Sequence, residues 1–225
     1  MELLAPLGIV PDARMLARFR TYFDYLTEQN EVMNLTAING EEDVYLRHFF
    51  DSLCLVKAGP VSGLTLLDVG AGAGFPSLPL KIAFPELKVT IVDATQKRIR
   101  FLETLIAKLE LDGVEAVHVR AEDFDRKSGY DLVTARAVAR MNILAELCMP
   151  FAKVGGRFIA MKTGDCVAEV AQAESAIKTL GGTVENILHY DVGPDRDHAL
   201  VIVRKTAFTP TKYPRAFAQI KSKPL

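Results

Sequence analysis

The stretch "LLDVGAGAGFPSLPLK" (residues 66–81) passes from an apolar segment through an acidic residue into alternating glycines. The apolar residues that end at Asp68 are typical of a buried strand, and "SLPLK" has the apolar spacing of a helix. Glycine adopts backbone conformations that other residues avoid, and it leaves room for a neighbouring group. The stretch therefore predicts a strand, a tight turn and a helix whose free N–H groups and positive dipole end face a bound ligand.

Strands and helices alternate along most of the chain. Short β-branched segments bounded by turn residues predict strands at residues 64–70, 87–94, 113–119, 130–135, 156–162, 183–191 and 198–205. Apolar residues at helical spacing predict helices at residues 77–85, 95–111, 137–152 and 165–182. This order predicts a Rossmann-like α/β fold, with a mostly parallel seven-stranded sheet covered on both faces. Because only the turn "VGPDRD" (192–197) separates the last two strands, we expect them to form an antiparallel hairpin.

Two further regions flank this core. Helical patterns at residues 12–34 and 41–57 predict an N-terminal helical cap, which we place at residues 1–58. The Rossmann-like core then spans residues 59–205. Residues 206–225 form a Pro-containing tail with four basic residues and no acidic one, which predicts a local cationic arm. No internal repeat or low-complexity linker divides the chain, so we expect a single functional unit.

The composition excludes several classes of protein. A chain of 225 residues that is 49% hydrophobic is typical of one ordinary globular domain, and its formal net charge of −1 provides no overall field that attracts nucleic acid. Cys54, Cys148 and Cys166 form no CxxC pair and the histidines lack metal-ligand spacing, so we expect neither a disulfide framework nor a metal site. The start lacks a basic signal flank, and no apolar run approaches the roughly 18 residues that span a bilayer. We therefore expect a cytoplasmic protein with no membrane segment.

The glycine spacing distinguishes between nucleotide ligands. A dinucleotide fingerprint, G-x-G-x-x-G, counted from Gly70 would need a glycine at Phe75, so a nicotinamide dinucleotide fits poorly. The observed spacing, D-x-G-x-G-x-G, runs from Asp68 through Gly70 and Gly72 to Gly74. It resembles the first motif of S-adenosylmethionine-dependent methyltransferases, in which the loop passes under a methionyl group. A ligand-free tight turn would explain any single glycine, but the whole set favours a cofactor site.

Residues after the next three strands are expected to border the same site. Asp93 ends the second strand roughly 20 residues beyond the glycines, where a carboxylate can accept from ribose hydroxyls. The ligand crevice of such sheets lies at the carboxyl ends of the strands, so we expect Ala121, Glu122 and Asp123 to border an adenine, although Asp123 fits a solvated loop equally well. Arg136 ends the fourth strand at the rim. It fits three partners equally: the cofactor carboxylate, a substrate phosphate or a neighbouring carboxylate.

Motifs along nearly the whole chain make the resemblance specific. They are "NLTAI" (34–38), "RHFFDSL" (47–53), "DVGAGAGFPSLPL" (68–80), "KRIRFL" (97–102), "RAEDF" (120–124), "ARAVA" (135–139) and "KYPRAF" (212–217). Together they resemble the RsmG family, formerly glucose-inhibited division protein B, which methylates guanine N7 in small-subunit ribosomal RNA. The pair "RHFFDSL" and "KYPR" is far more restrictive than the glycine loop. Two departures stand out: Ala216 to Ile220 replace the Pro and Gly that usually follow "YPR", and Ser77 replaces a glycine.

The resemblance implies a fold, a cofactor and a substrate. It implies a class I methyltransferase fold, S-adenosyl-L-methionine as the methyl donor, and a guanine in the decoding-region loop of 16S ribosomal RNA as the acceptor. Carried over residue by residue, the implied cofactor contacts are Gly70, Phe75, Ala121, Glu122 and Arg136. Guanine N7 has an exposed lone pair and no proton to remove, so positioning and electrostatics suffice and we nominate no general base. We expect Arg136 or Lys162 to position the acceptor by reading the O6 edge or a phosphate.

Contact with RNA requires cations and flat side chains. The expected RNA-binding residues are Asn34, Arg47, His48, Lys97, Arg98, Lys162, Lys212 and Arg215. A buried structural role is the alternative for His48, Phe49 and Phe50. We expect the partner to be 16S ribosomal RNA or the 30S particle, and the protein to be a monomer.

Other functions fit part of this pattern. A methyltransferase for a small molecule shares the cofactor loop but has no use for a cationic tail, and salt-dependent RNA binding would separate the two. A non-catalytic RNA-binding or ribosome-assembly protein would keep the fold without transferring a methyl group. A nicotinamide dehydrogenase is disfavoured by Phe75 in place of glycine.

Overall fold

The computed structural model describes residues 3–193 and 195–225 and contains one seven-stranded sheet. The strands are β1 (Thr65–Val69), β2 (Lys88–Asp93), β3 (Val114–His118), β4 (Tyr130–Arg136), β5 (Ala152–Thr163), β6 (Gly182–Val192) and β7 (Asp195–Lys205). Their order across the sheet is β3-β2-β1-β4-β5-β7-β6. The first five strands pair in parallel, while β7 runs antiparallel to both of its neighbours. The predicted α/β fold with a parallel core and an antiparallel last hairpin is confirmed.

Helices cover both faces of the sheet. They are α1 (Ala13–Met33), α2 (Glu41–Val44), α3 (Asp51–Leu53), α4 (Ser77–Ala83), α5 (Gln96–Lys108), α6 (Met141–Cys148), α7 (Val167–Thr179) and α8 (Phe217–Ser222). One buried apolar cluster joins the N-terminal helices, α4 and α5 to one face of the sheet. A second cluster joins α6, α7 and the C-terminal tail to the other face. The cap and the tail therefore each share a hydrophobic core with the sheet.

The N-terminal cap follows the sequence pattern closely. The Asp12 side chain accepts a hydrogen bond from the Met15 N–H at 2.7 Å and so caps the first turn of α1. Helix α1 ends at Met33 and is capped by Asn34, which adopts the left-handed conformation. The second helical segment departs from the prediction, because α2 continues into a π-helix at Tyr45–Phe50 before α3 begins. The π turn buries His48 and Phe49 against the sheet side of the cap.

Several boundaries differ from the sequence prediction, among them the start of β5, which lies at Ala152 instead of residue 156. The helix predicted at residues 137–152 begins only at Met141, because Ala137 has φ +58° and residues 137–140 form a loop. The last hairpin is longer than predicted, since pairing continues to Val192 opposite Asp195. The predicted turn 192–197 therefore shrinks, and Pro194 within it lies outside the described residues.

Of the three glycines in the turn, only Gly74 packs against the cap. A Cβ atom on Gly74 would lie 2.6 Å from Leu78 Cδ1 and 2.8 Å from the Tyr22 hydroxyl, and Gly74 has φ +102°. The Tyr22 hydroxyl also donates to the Ala73 carbonyl at 2.6 Å, so this phenol cannot move away without losing its hydrogen bond. Gly72, in contrast, has φ +59°, and no atom lies within 4 Å of the place that a Cβ atom would occupy there. Gly74 is thus required by packing, whereas Gly72 faces open space.

We expect Gly74→Ala to destabilise the fold by about 2–4 kcal/mol, because it adds steric overlap to backbone strain. Gly72→Ala adds strain alone and should cost only about 1 kcal/mol. Urea unfolding of both variants and the unmodified chain measures the difference. Equal losses in the two variants would contradict the packing role of Gly74.

Candidate active site

A cavity of about 300 Å³ lies at the carboxyl ends of β1, β2 and β3, beside the glycine turn. We call it the glycine-loop cavity. Its lining includes Gly70, Asp93, Ala121, Glu122, Val138 and Phe217. Parallel strands present their carboxyl ends at the same edge of the sheet, which is why residues from separate segments of the core meet here.

Asp93 forms the polar floor of the glycine-loop cavity. Its carboxylate is 4% exposed, accepts a hydrogen bond from the Thr95 N–H at 2.8 Å and faces the Arg98 guanidinium at 3.4 Å. On the opposite wall, Arg120 donates to the Glu122 carboxylate at 2.7 Å. Two carboxylates therefore border the cavity, each already held by a cation at the rim.

A second cavity of about 260 Å³ adjoins the first, and Ala137 lines both. Its polar lining includes Asp51, Arg136, Lys162, Glu169, Tyr190 and His198. Ala137 stands between the cavities with φ +58°, a left-handed conformation that is uncommon for a residue with a side chain. A strained residue at this point is typical of a site where the backbone is shaped for function.

A buried carboxylate organises the second cavity. Asp51 is 3% exposed and accepts hydrogen bonds from the Tyr190 hydroxyl at 2.7 Å, from His198 Nδ1 at 3.0 Å and from Arg136 Nη1 at 3.0 Å. Burial alone would raise the pKa of Asp51, but the contacts from His198, Arg136 and Tyr190 outweigh it and hold that pKa below its ordinary value. Asp51 is therefore a stable counter-ion that fixes the three side chains around it.

Arg136 is held on several sides. Besides Asp51, its guanidinium contacts His48 Nδ1 at 3.3 Å and the Arg47 carbonyl at 3.3 Å, and it lies 4.8 Å from the centroid of the Phe75 ring. His48 stacks on the same Phe75 ring, with 4.5 Å between centroids. Burial, reinforced by the nearby Arg136 charge, lowers the pKa of His48 to about 4, so this imidazole is neutral near pH 7. His48 Nδ1 also lies 3.2 Å from the Arg47 carbonyl, and Nε2 lies 2.7 Å from the Thr36 hydroxyl, so both ring nitrogens are within hydrogen-bond distance of partners.

Lys162 also lines the second cavity. Its ammonium donates to the Ala139 carbonyl at 2.9 Å and to Glu169 Oε1 at 2.7 Å. Glu169 Oε1 also accepts from the Met141 N–H, so this carboxylate ties the start of α6 to the start of α7. A lysine ammonium has three donors, and these two contacts use two of them.

Asp68 is the most buried acid of the glycine turn. It is 0% exposed, and its Oδ2 accepts from the Ser77 N–H at 3.1 Å, whereas Oδ1 has no hydrogen-bond partner. Burial raises the pKa of Asp68 to about 7. An unpartnered carboxylate oxygen buried behind the turn is a polar group that a bound ligand or water would satisfy.

Only some of the residues that were predicted to bind the cofactor line a cavity. Gly70, Asp93, Ala121 and Glu122 line the glycine-loop cavity, and Arg136 lines the second one. The cavity linings do not include Asp68, Gly72, Gly74 or Phe75; Asp68 lies behind the turn, and Phe75 packs between Tyr22 and His48. Phe75 therefore contacts the site through His48 and Arg136, and Gly74 faces the cap.

The residues that were predicted to bind RNA differ in their exposure to solvent. Asn34, Lys97, Arg98 and Lys212 are exposed, whereas His48 is buried in the stack described above. Arg215 is bound to Glu146, a fully buried carboxylate, through its Nε at 2.8 Å and its Nη2 at 2.7 Å. The charge of Arg215 is thus already neutralised within the fold, which the count of basic residues in the tail did not reveal.

The sequence did not predict several residues that line the two cavities. Asp51 and Glu169 were not identified as site residues, although Asp51 is an acidic residue inside the apolar run "HFFDSLCL" (48–55) and so carried a signal. Tyr190 and His198 are directly paired in the β6–β7 hairpin and reach the site only because that hairpin packs beside β5. Phe217 comes from the tail, and no local pattern connects it with the cavity.

Other kinds of site find no support in the part of the chain that the structure describes. Within residues 3–193 and 195–225, no three His, Cys, Asp or Glu side chains are grouped as metal ligands. Among the same residues, no helix has the length and apolar character needed to cross a membrane. All three cysteines are buried and free.

The strand order and the cavity beside a glycine turn define a class I S-adenosylmethionine-dependent methyltransferase fold. A solved S-adenosylmethionine-dependent methyltransferase from Aquifex aeolicus has this fold, with a TM-score of 0.59 at 18% identity over 76% of this chain and 96% of that chain.

Sequence comparison gives the family within this class. The family model described as rRNA small subunit methyltransferase G (GidB) matches residues 15–198. The ribosomal RNA small subunit methyltransferase G of Limosilactobacillus reuteri (strain DSM 20016) is 48% identical over 233 residues, covering 100% of this chain and 97% of that protein. The protein of the same name from Ligilactobacillus salivarius (strain UCC118) is 50% identical over 223 residues, covering 94% and 92%. The chain belongs to the rRNA small subunit methyltransferase G family, as the sequence motifs predict.

Two buried groups at the site give opposite dependences of stability on pH. His48 has a pKa of about 4 in the folded chain against an ordinary 6.5, so between these values the unfolded chain binds more protons and stability rises with pH. Asp68 has a pKa of about 7 in the folded chain against an ordinary 3.8, so between these values the folded chain binds more protons and stability falls as pH rises.

We expect His48→Gln to remove the rise and Asp68→Asn to remove the fall. The quantity to compare is the free energy of unfolding in urea at about pH 6.5 minus that at about pH 4.5. Relative to the unmodified chain, this difference should decrease in His48→Gln and increase in Asp68→Asn, each by at most about 3 kcal/mol. A pH dependence equal to that of the unmodified chain in both variants would contradict these assignments.

Proposed function

We propose that the protein transfers a methyl group from S-adenosyl-L-methionine to N7 of a guanine in the decoding-region loop of 16S ribosomal RNA, acting as a cytoplasmic monomer. The RNA substrate is free or part of the 30S particle. The observation that supports this proposal most strongly is the pair of cavities that meet at Ala137. One is suited to the nucleoside donor, and the other places a cation where an acceptor base would enter.

The glycine-loop cavity fits the cofactor. Its volume of about 300 Å³ is at the lower end of the range of ligand pockets, and it is open to solvent along one side. Asp93 would accept from the ribose hydroxyls, and the backbone at Ala121 and Glu122 would border the adenine. The methionyl group would pass along the turn at Gly72, where no atom lies within 4 Å of a Cβ position. The orphaned Asp68 Oδ1 lies behind that turn.

The acceptor chemistry requires positioning rather than proton transfer. When bound, S-adenosylmethionine would supply an electrophilic methyl group to the N7 lone pair, and the C–S electron pair would remain on sulfur. No proton moves, so a general base is unnecessary. The neutral state of His48 fits this requirement, because a second positive charge beside Arg136 would oppose the charge that develops on the purine.

Lys162 is better suited than Arg136 to contact the acceptor. Contacts with Asp51, His48 and the Arg47 carbonyl fix the orientation of the Arg136 guanidinium, so it could not turn toward a base without losing them. Lys162 keeps a third donor at the wall of the second cavity, and this donor would bind guanine O6 or a backbone phosphate. We therefore assign Arg136 to shaping the cavity and Lys162 to orienting the base.

Cations near the cavities would hold the RNA backbone. Arg98 and Arg120 line the glycine-loop cavity and are about half exposed, Lys97 is exposed beside Arg98, and Arg47 pairs with Asp43 at 3.2 Å near the second cavity. These contacts are local, in keeping with a net charge of −1. The target guanine would have to leave its stack to reach the second cavity, at a cost of a few kcal/mol.

A bulky residue at position 72 should block the cofactor. Gly63 provides a matched control, because it also has positive φ and open space around its Cβ position but lies at the opposite end of β1. We expect Gly72→Leu to weaken binding of S-adenosylhomocysteine about tenfold or more, and Gly63→Leu to leave it unchanged, as measured by titration calorimetry. Undiminished binding by Gly72→Leu would exclude the turn from the cofactor site.

Replacing Lys162 should reduce methyl transfer without changing cofactor affinity. We expect Lys162→Ala to lower transfer from radiolabelled S-adenosylmethionine to 30S particles or free 16S ribosomal RNA by about tenfold to a hundredfold, the value of one lost base contact. Lys178→Ala, at the exposed far end of α7, is the matched control. Mapping the labelled nucleotide tests the acceptor itself, and a label away from guanine N7 would overturn the proposed reaction.

A further inference from the structure

The C-terminal tail folds back onto the body of the protein. Tyr213 is 5% exposed and Ile220 is 0% exposed, and both belong to the apolar cluster that includes α6 and α7. The Lys127 ammonium donates to the Tyr213 carbonyl at 2.9 Å. A tail that carries only basic charges is thus fastened by its apolar side chains.

An ion pair between Arg215 and Glu146 of α6 also anchors the tail. Arg215 binds the buried Glu146 carboxylate with two side-chain N–H groups, and its backbone N–H adds a third bond at 2.9 Å. A bidentate arginine–carboxylate pair fixes direction as well as distance. Helix α8 therefore begins at a defined place, two residues after this clamp.

Phe217, the first residue of α8, reaches the glycine-loop cavity and lines it together with Ala121 and Glu122. The Arg120 guanidinium lies 5.3 Å from the centroid of the Phe217 ring, and Arg120 is in turn paired with Glu122. An aromatic ring is thus held at the end of the cavity where residues after β3 would border an adenine. Aromatic side chains in such positions stack on nucleobases.

We propose that the C-terminal tail completes the cofactor site, with Phe217 as the wall against which the adenine stacks. This inference rests on the proposed function, because it takes an adenosyl ligand as the occupant of the cavity. Binding of the cofactor and docking of the tail are then coupled, since each stabilises the position of the same ring. The tail serves the donor side of the site rather than acting as a free arm for RNA.

Phe217→Ala should weaken binding of S-adenosylhomocysteine about tenfold, the value of one lost aromatic–base contact. The same loss is expected with adenosine, because the contact is with the base. Phe208→Ala is the matched control, since Phe208 belongs to the same tail, is 75% exposed and does not line the cavity. Titration calorimetry on the full chain gives the dissociation constants, and circular dichroism confirms that each variant is folded.

A second measurement does not depend on removing the ring. The chain contains no tryptophan, so Phe217→Trp introduces a single fluorophore at the proposed wall. We expect its emission to change on addition of S-adenosylhomocysteine, while a tryptophan introduced by Phe208→Trp should not respond.

The outcomes separate this inference from the proposed function. Loss of affinity in Phe217→Ala with a responsive Phe217→Trp supports the tail as part of the site. Undiminished affinity of Phe217→Ala, or a silent tryptophan at position 217 in a chain that binds the ligand, overturns this inference and leaves the proposed function intact. Failure of the unmodified chain to bind S-adenosylhomocysteine overturns both.

Discussion

The tight packing of the glycine turn against the N-terminal cap is the constraint on which the site depends. At Gly74 the backbone lies so close to Tyr22 and Leu78 that no side chain fits. This contact fastens the cap to the sheet, and the same turn leaves Gly72 facing open space at the edge where the strands end. One short turn therefore performs two tasks. Its last glycine packs against the cap, and its middle glycine faces open space, where we propose that the cofactor lies.

The charged side chains of the second cavity fall into two groups: those bound to Asp51, and Lys162, which is bound to Glu169. Asp51 collects Arg136, Tyr190 and His198 into one buried network, and the three side chains come from β4, β6 and β7. The carboxylate gains enough from these contacts to stay ionised despite its burial. Arg136 is held in place by this network. We assign the contact with the substrate to Lys162, whose ammonium has a donor beyond its bonds to Ala139 and Glu169.

The number of basic residues in the tail does not show which of them are free to contact RNA. Its basic residues suggested an arm for RNA, yet Arg215 directs its charge to Glu146 and the apolar residues around it fold onto α6. Such pairing joins residues 69 positions apart in the sequence, and no local pattern reports it. What the tail contributes to the cavity is an aromatic ring. The exposed cations nearer the cavities, such as Arg98 and Arg120, come from the core.

From local periodicity and short motifs, the sequence predicted the alternation of strands and helices, the antiparallel hairpin, the turn at residues 70–74 and the family. It also named Gly70, Asp93, Ala121 and Glu122, since each follows a strand whose end must lie at one edge of the sheet. Local patterns do not reveal that Gly74 and Phe75 face the cap, or that Asp51, Glu169 and Phe217 line the two cavities. These placements depend on packing and ion pairing between segments far apart in the chain.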